Sequence, residues 1–405
     1  MHPSLAARKA AGRRMGAPAA TLHAPCSAGT PSESPTPGSS ALPATPDLPP
    51  ARTGRAVWYG PDIMSRPDEW IVSLTEAHVA EVEAAVAKVL AEAEAAAAAA
   101  SLPVDGSGRA GGGGGGGEEA VKLATQRLAR LTAADFPLPT LGPVLESLRG
   151  ELLEGRGFAL IRRLPVERYS RLQAVASFMG IGAHLGTARS QNAKGHVLGH
   201  VADLGLSSTD PRVRIYQTRE RQTFHTDSCD VVGLLCLREA KQGGDSLLAM
   251  PHDRRGEVPA GQRPWFDIPV FSWHDPHVSV FYQRQYFDSA QRFPEARQLT
   301  TEDVEALDAF DALANDPTLH LTMRLAPGDM QFVHNHNMLH DRTGFDDGPD
   351  ATAETRRHLL RLWLAAPGAR PLPEAFAARY GSLQVGSRGG IEVPGAIMHV
   401  PLEPA

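Results

Sequence analysis

The chain has 405 residues, 42% of them hydrophobic, and a formal net charge of -6. That apolar share suffices for a sizeable core, while the acidic balance argues against nucleic acid or an anionic membrane surface as the main partner. No apolar run approaches the length of a membrane span, and Cys26, Cys229 and Cys236 imply neither a disulfide framework nor a cysteine zinc site.

In chain order, residues 1–55 stand apart. They carry Arg8, Lys9, Arg13, Arg14, Arg52 and Arg55 against only Glu33 and Asp47, amid many Ala, Ser, Thr and Pro. This composition fits either a disordered tail or an organelle transit peptide; the second would place the protein in a plastid or mitochondrion, the first in the cytoplasm. Residues 56–100 read as a helical segment, in which Ser73 with Glu76 makes a capping box and Val79, Val82, Val86 and Val89 form an apolar stripe. Residues 101–117 read as a flexible Gly-rich insertion, because the run Gly111 to Gly117 loses too much backbone freedom on ordering.

Residues 118–391 read as the main domain, followed by a C-terminal tail, 392–405. After a resumed helix over 118–131, Phe158 to Ile161 is a strand, and Ser170 caps a helix that stops at Gly180. Short strands are predicted around 197–201, 213–216, 231–237 and 278–282. Thr300 with Asp303 opens a helix whose Val304, Leu307, Phe310 and Leu313 face inward, and Leu319, Leu321, Met323 and Leu325 alternate before the Pro327-Gly328-Asp329 turn. Many short strands with few flanking helices predict a mainly β fold with flanking helices, specifically a double-stranded β-helix (jelly roll, cupin-like).

Within that frame, His225-Thr226-Asp227 puts an imidazole and a carboxylate on one edge of a strand, since residues two apart share a face. A distant His340 completes three ligands. Two histidines and one carboxylate leave the opposite face of an ion open, the arrangement of non-heme Fe(II) oxygenases. Taken singly, Asp227 is as well explained by a turn and His340 as an ordinary histidine; their order and strand-like surroundings favour the metal reading. His334 and His336 share the parity of His340 and are read as pocket-shaping or hydrogen-bonding residues.

The stretches Phe224-His225-Thr226-Asp227, Gly243-Gly244-Asp245-Ser246, Asn337-Met338-Leu339-His340-Asp341-Arg342 and Arg356-Arg357-His358-Leu359 together resemble the taurine dioxygenase (TauD/TfdA-like) family. The resemblance runs from Trp58 to Ile391. It implies His225, Asp227 and His340 as ligands of Fe(II), with Ser246 and Arg357 binding the far carboxylate of the cosubstrate 2-oxoglutarate and O₂ as the oxidant. Arg361, four residues on along the same strand face, is then a candidate to meet an acidic prime substrate, or else packs its stem structurally. Asn192 and Lys194, in the polar loop Ser190 to His196, either reach the substrate or form a solvated turn.

The function implied is hydroxylation of a small-molecule substrate with release of succinate and CO₂; the carboxylate ligand Asp227 favours hydroxylation over halogenation. One departure stands out. Pro251-His252-Asp253 follows Met250 directly, where the family has a helical segment, so a metal-binding jelly roll without turnover is one alternative. A zinc-type ion serving hydrolysis is another, because such N/O ligands do not by themselves select iron.

Overall fold

The computed structural model describes residues 54–100, 116–206, 213–240, 242–243, 258, 261–274, 276–391 and 395–404. Nearly all of the expected tail or transit segment, residues 101–115 of the expected insertion, and Ser246 lie outside these residues. In chain order the strands are β1 (Ile71–Ser73), β2 (Phe158–Arg162), β3 (Thr187–Ala188), β4 (Leu198–Val201), β5 (Gln222–His225), β6 (Val231–Arg238) and β7 (Gln242–Gly243). They continue with β8 (Phe271–His274), β9 (His277–Val280), β10 (Met330–His334), β11 (His340–Arg342), β12 (Phe345–Asp346) and β13 (His358–Ala365).

Seven of these strands form one sheet in the order β1-β2-β10-β6-β13-β3, with β4 also pairing β13. Only β1 and β2 run parallel within it. Three two-stranded ladders, β5–β11, β7–β12 and β8–β9, complete the described strands. These ladders do not join into a closed barrel, so the architecture shown is a mainly β fold with flanking helices.

The alternation of the strands divides the core. Leu360, Leu362 and Leu364 of β13 and Phe332 of β10 face the helices Leu141–Leu153 and Arg171–Leu185, packing with Leu145, Val175 and Phe178. Leu359 of β13, Val333 of β10 and Phe158 of β2 point the other way, toward Ile63, Trp70, Met323 and Leu325. Arg361 and Trp363 share the parity of Leu359, and so sit on this second face.

Several local expectations are corrected. Helix Glu76–Ala100 is capped by Thr75, whose Oγ1 accepts from the His78 N–H at 3.2 Å, because Ser73 is occupied in β1 opposite Arg162. Helix Arg171–Leu185 carries the Ser170–Gln173 capping box but runs through Gly180, where a Cβ would meet the Phe136 ring at 2.5 Å; the glycine there serves close packing rather than termination. Around 213–216 the chain makes a 3-10 turn, Ile215–Gln217, rather than a strand. Leu313 is 57% exposed instead of facing inward, and the alternating stretch Leu319 to Leu325 starts in a turn and joins no ladder.

Beyond residue 391, Val400 is 1% exposed in the core and Met398 and Leu402 pack beside it.

Candidate metal centre

The site is assembled by one ladder. In β5–β11, His225 stands directly opposite His340, and their rings lie 4.1 Å apart between centroids. Asp227, two residues past His225, brings Oδ2 to 3.5 Å from His340 Nε2. All three residues are buried, and one ligand-type atom from each lies within 4.8 Å of the others. Among the described residues this is the one such cluster of His, Cys, Asp and Glu.

Local bonds prepare each group. His225 Nδ1 faces the Thr223 carbonyl oxygen at 3.0 Å, so Nδ1 carries the proton and Nε2 keeps its lone pair toward the cluster, where the Gln222 amide now donates at 2.7 Å. Burial, then the neighbouring His340, push the His225 imidazole down to about 3, keeping it neutral. Burial opposes ionisation of Asp227, but the Arg361 guanidinium at 3.4 Å and the His340 contact outweigh it and hold the carboxyl well below its usual range. His340 Nδ1 is buried and meets no hydrogen-bond partner. A neutral His225 imidazole, an ionised carboxylate and a partnerless buried nitrogen on His340 fit a divalent cation.

The surroundings hold this geometry. Asn335 accepts from the Asp227 N–H at 2.7 Å, and its amide donates to the carbonyl of Cys229 at 2.9 Å and to that of Asp227. Arg361 donates through Nε to Gln191 Oε1 at 2.9 Å, and its guanidinium lies over the rings of Tyr216 and Trp363. His336 stays outside the cluster: its Nε2 bonds Asp230, which also accepts from the buried Arg388. His334 is likewise buried and absent from the cluster.

The other expected site residues are distributed differently. Arg357 lies beside the Phe345 ring, 5.0 Å from its centroid, and Arg342 lies by the same ring at 4.9 Å. Burial, then the charge of Arg357, push the Arg342 guanidinium down to about 9. Two buried guanidinium groups around one ring make a position that favours an anion. Asn192 turns its carboxamide into its own loop, bonding His196 and the Lys194 N–H, and Lys194 is exposed.

A buried site with two histidines and one carboxylate fits a mononuclear metal centre with an open face, the arrangement of non-heme Fe(II) oxygenases. The profile of the taurine catabolism dioxygenase TauD, TfdA family matches residues 122–249 and 250–363. FR-33289 synthase of Streptomyces rubellomurinus is 31% identical over 266 residues, covering 60% of this chain and 78% of that protein. Taurine hydroxylase-like protein SAT17 of Stachybotrys chartarum is 28% identical over 349 residues, covering 77% and 81%. Among solved structures, asparagine oxygenase in complex with Fe(II), hydroxyasparagine and succinate superimposes with a TM-score of 0.48 at 18% identity, covering 73% of this chain and 93% of that one. The chain belongs to the TauD/TfdA family, and is a 2-oxoglutarate-dependent dioxygenase that uses iron.

Sequence reasoning had passed over Gln191, Gln222 and Asn335. Each lies among other polar residues, Ser190 and Asn192, Arg221 and Thr223, and His334 and His336, so no local signal marks its burial or its partner.

Proposed function

We propose that the protein hydroxylates a small-molecule substrate at a facial site made by His225, Asp227 and His340, within a jelly roll whose second sheet is built from the ladders β5–β11, β7–β12 and β8–β9. The observation that carries the reading is the register that sets His225 against His340 with Asp227 alongside, all buried. A bound iron would supply the coupling of 2-oxoglutarate decarboxylation, giving succinate and CO₂, to oxidation of the substrate by O₂.

The protein's own groups do the rest. Neutral His225 and ionised Asp227 need no deprotonation before binding a cation, so ligation costs no proton release at neutral pH. Arg357 is assigned to the far carboxylate of 2-oxoglutarate, its planar fork matching that group, with Arg342 adding a second positive charge on the same ring. Ser246 is assigned as its hydrogen-bonding companion. It follows β7 by three residues, and β7 pairs Gly243 with Phe345, the ring that both guanidinium groups flank. Arg361, fixed by Gln191 against Asp227, is assigned to holding the carboxylate ligand ionised and bordering whatever binds beside it.

Anaerobic loading with Fe(II), addition of 2-oxoglutarate and then O₂ should give succinate in step with O₂ consumption. His225→Ala and His340→Ala should each abolish that release while melting close to the parent, since the sheet packing is untouched. Turnover in either variant, or hydrolytic activity with zinc and no succinate with iron, would overturn the assignment.

A further inference from the structure

Gln222 and His225 lie three residues apart on β5, an offset that in a regular strand sends two side chains to opposite faces. The ladder is not regular here. His225 pairs with His340 while Gln222 pairs with Arg342, three residues of β5 against two of β11, so β5 carries one extra residue between the pairs. Such a bulge bends the strand and re-aims a side chain. Here it brings the buried Gln222 carboxamide round to the face of His225, with the amide Nε2 at 2.7 Å from Nε2 of the ring.

The direction of that bond is fixed from the other side of the ring. The Thr223 carbonyl, at 3.0 Å from His225 Nδ1, can only accept, so the proton of the neutral imidazole is on Nδ1. His225 Nε2 then has a single lone pair and no hydrogen, and the Gln222 amide donates to it. With Nδ1 taken, Nε2 is also the nitrogen that His225 can offer to a cation shared with Asp227 and His340. One lone pair cannot serve both.

We propose that Gln222 competes with the metal for His225 Nε2: its carboxamide turns away when a cation is bound, and its bond holds the affinity for divalent cations below what the three ligands alone would give. This rests on the metal reading of His225, Asp227 and His340, and adds the residue that sets how firmly the metal is held. The expected sign is the reverse of the usual one. A group that bonds the far atom of a ligand orients it, and its loss weakens metal binding. At His225 the Thr223 carbonyl plays that part, whereas Gln222 bonds the ligating nitrogen itself.

Anaerobic calorimetric titration of the full chain with Fe(II) alone tests the proposal. Gln222→Leu should bind Fe(II) about threefold to tenfold more tightly than the parent, the size expected for one buried hydrogen bond, and Gln222→Val, whose branched side chain suits a strand, should do the same. The rise in melting temperature on adding Fe(II) should also be larger in both variants, because only the metal-free form has lost a bond. A merely structural Gln222 would lower the melting temperature equally with and without metal. In the parent itself, the side-chain amide protons of Gln222 should exchange slowly with solvent in the metal-free protein and faster with Zn(II) bound. Fe(II) affinity in the variants equal to or below that of the parent, an unchanged rise in melting temperature, or slow exchange in both states would each overturn the role given to Gln222 and leave the metal centre standing. A parent that binds no Fe(II) would instead overturn the metal centre, and this proposal with it.

Discussion

Replacing Asn335 by alanine should loosen Asp227 while leaving the sheet assembled. Asn335 is fully buried at the end of β10 and spans the turn that follows β5. The change removes the acceptor of the Asp227 N–H and the donor to the Cys229 and Asp227 carbonyls. Three buried bonds at about 1 kcal/mol net apiece give a destabilisation of about 3 kcal/mol, and more if no water enters to satisfy the freed groups. None of the three bonds belongs to a ladder, so the cooperative unfolding should persist at a lower melting temperature. The larger effect should fall on the metal: removing a group that orients a ligand weakens binding by about 10–100-fold. Anaerobic Fe(II) titration in the presence of 2-oxoglutarate, followed by the charge-transfer absorbance of the complex, reads that affinity directly. An Asn335→Ala protein that melts lower but binds Fe(II) as tightly as the parent would refute the reasoning, because the carboxylate would then be aimed by Arg361 and His340 alone.

Two further predictions rest on other residues. Arg357→Lys should raise the KM for 2-oxoglutarate about tenfold or more, since a charge-assisted bond of about 1.5–3 kcal/mol is lost with the planar fork, whereas Arg361→Lys should leave that KM near the parent value; steady-state kinetics of both variants decide, and the reverse pattern would exchange their roles. His200 and His358 should make the fold acid-sensitive: burial pushes His200 down to about 4 and His358 to about 2, so both are neutral in the native state and take up protons more readily when unfolded. The stability they protect is complete above the unfolded value near 6.5 and is lost as pH falls from there toward 4, on the order of 3 kcal/mol for His200 alone, and melting curves across that range should flatten in His200→Leu.

The last effect has a structural reason. Arg238 donates to His358 Nδ1, leaving His358 Nε2 to donate to His200 Nδ1 at 2.8 Å, and His200 Nε2 donates to the Pro401 carbonyl at 3.0 Å. Every position in the chain of bonds is filled with both rings neutral. An added proton on either ring would face another donor, and the segment around Val400 would lose its tie to β13 and β4.

What the sequence disclosed follows from how local each signal is. Strands β2 and β6 and the capping boxes at Ser170 and Thr300 are written in neighbouring residues, and they stand where expected. The three clustered residues were legible because His225 and Asp227 lie two residues apart and the resemblance supplied His340. The functions of Gly180 and Asn335 depend instead on what packs against them: the Phe136 ring and the turn at Asp227. The stretch from Leu319 to Leu325 alternates like a strand, but its side chains line a cavity beside His340 and meet Trp70, and its backbone at His320 packs against Gly60 without pairing, so the period is right and the ladder absent. The Arg342–Phe345–Arg357 arrangement likewise spans residues whose proximity no spacing rule gives.

The break at Met250 can now be weighed by where it falls. The family match divides between Ala249 and Met250, where the chain runs directly into Pro251. His225 and His340 are fixed by β5 and β11, and Asp227 by Asn335 and Arg361, none of which lies near that junction in sequence. What does lead into it is β7, which ends at Gly243 against Phe345. On the roles proposed for Ser246, Arg357 and Arg342, the departure would bear on cosubstrate binding, while the metal ligands are carried by elements remote from it in sequence. A protein impaired by the shortened segment should thus hold Fe(II) normally and show its defect in 2-oxoglutarate affinity. Weak metal binding with an ordinary KM for 2-oxoglutarate would contradict that division of labour.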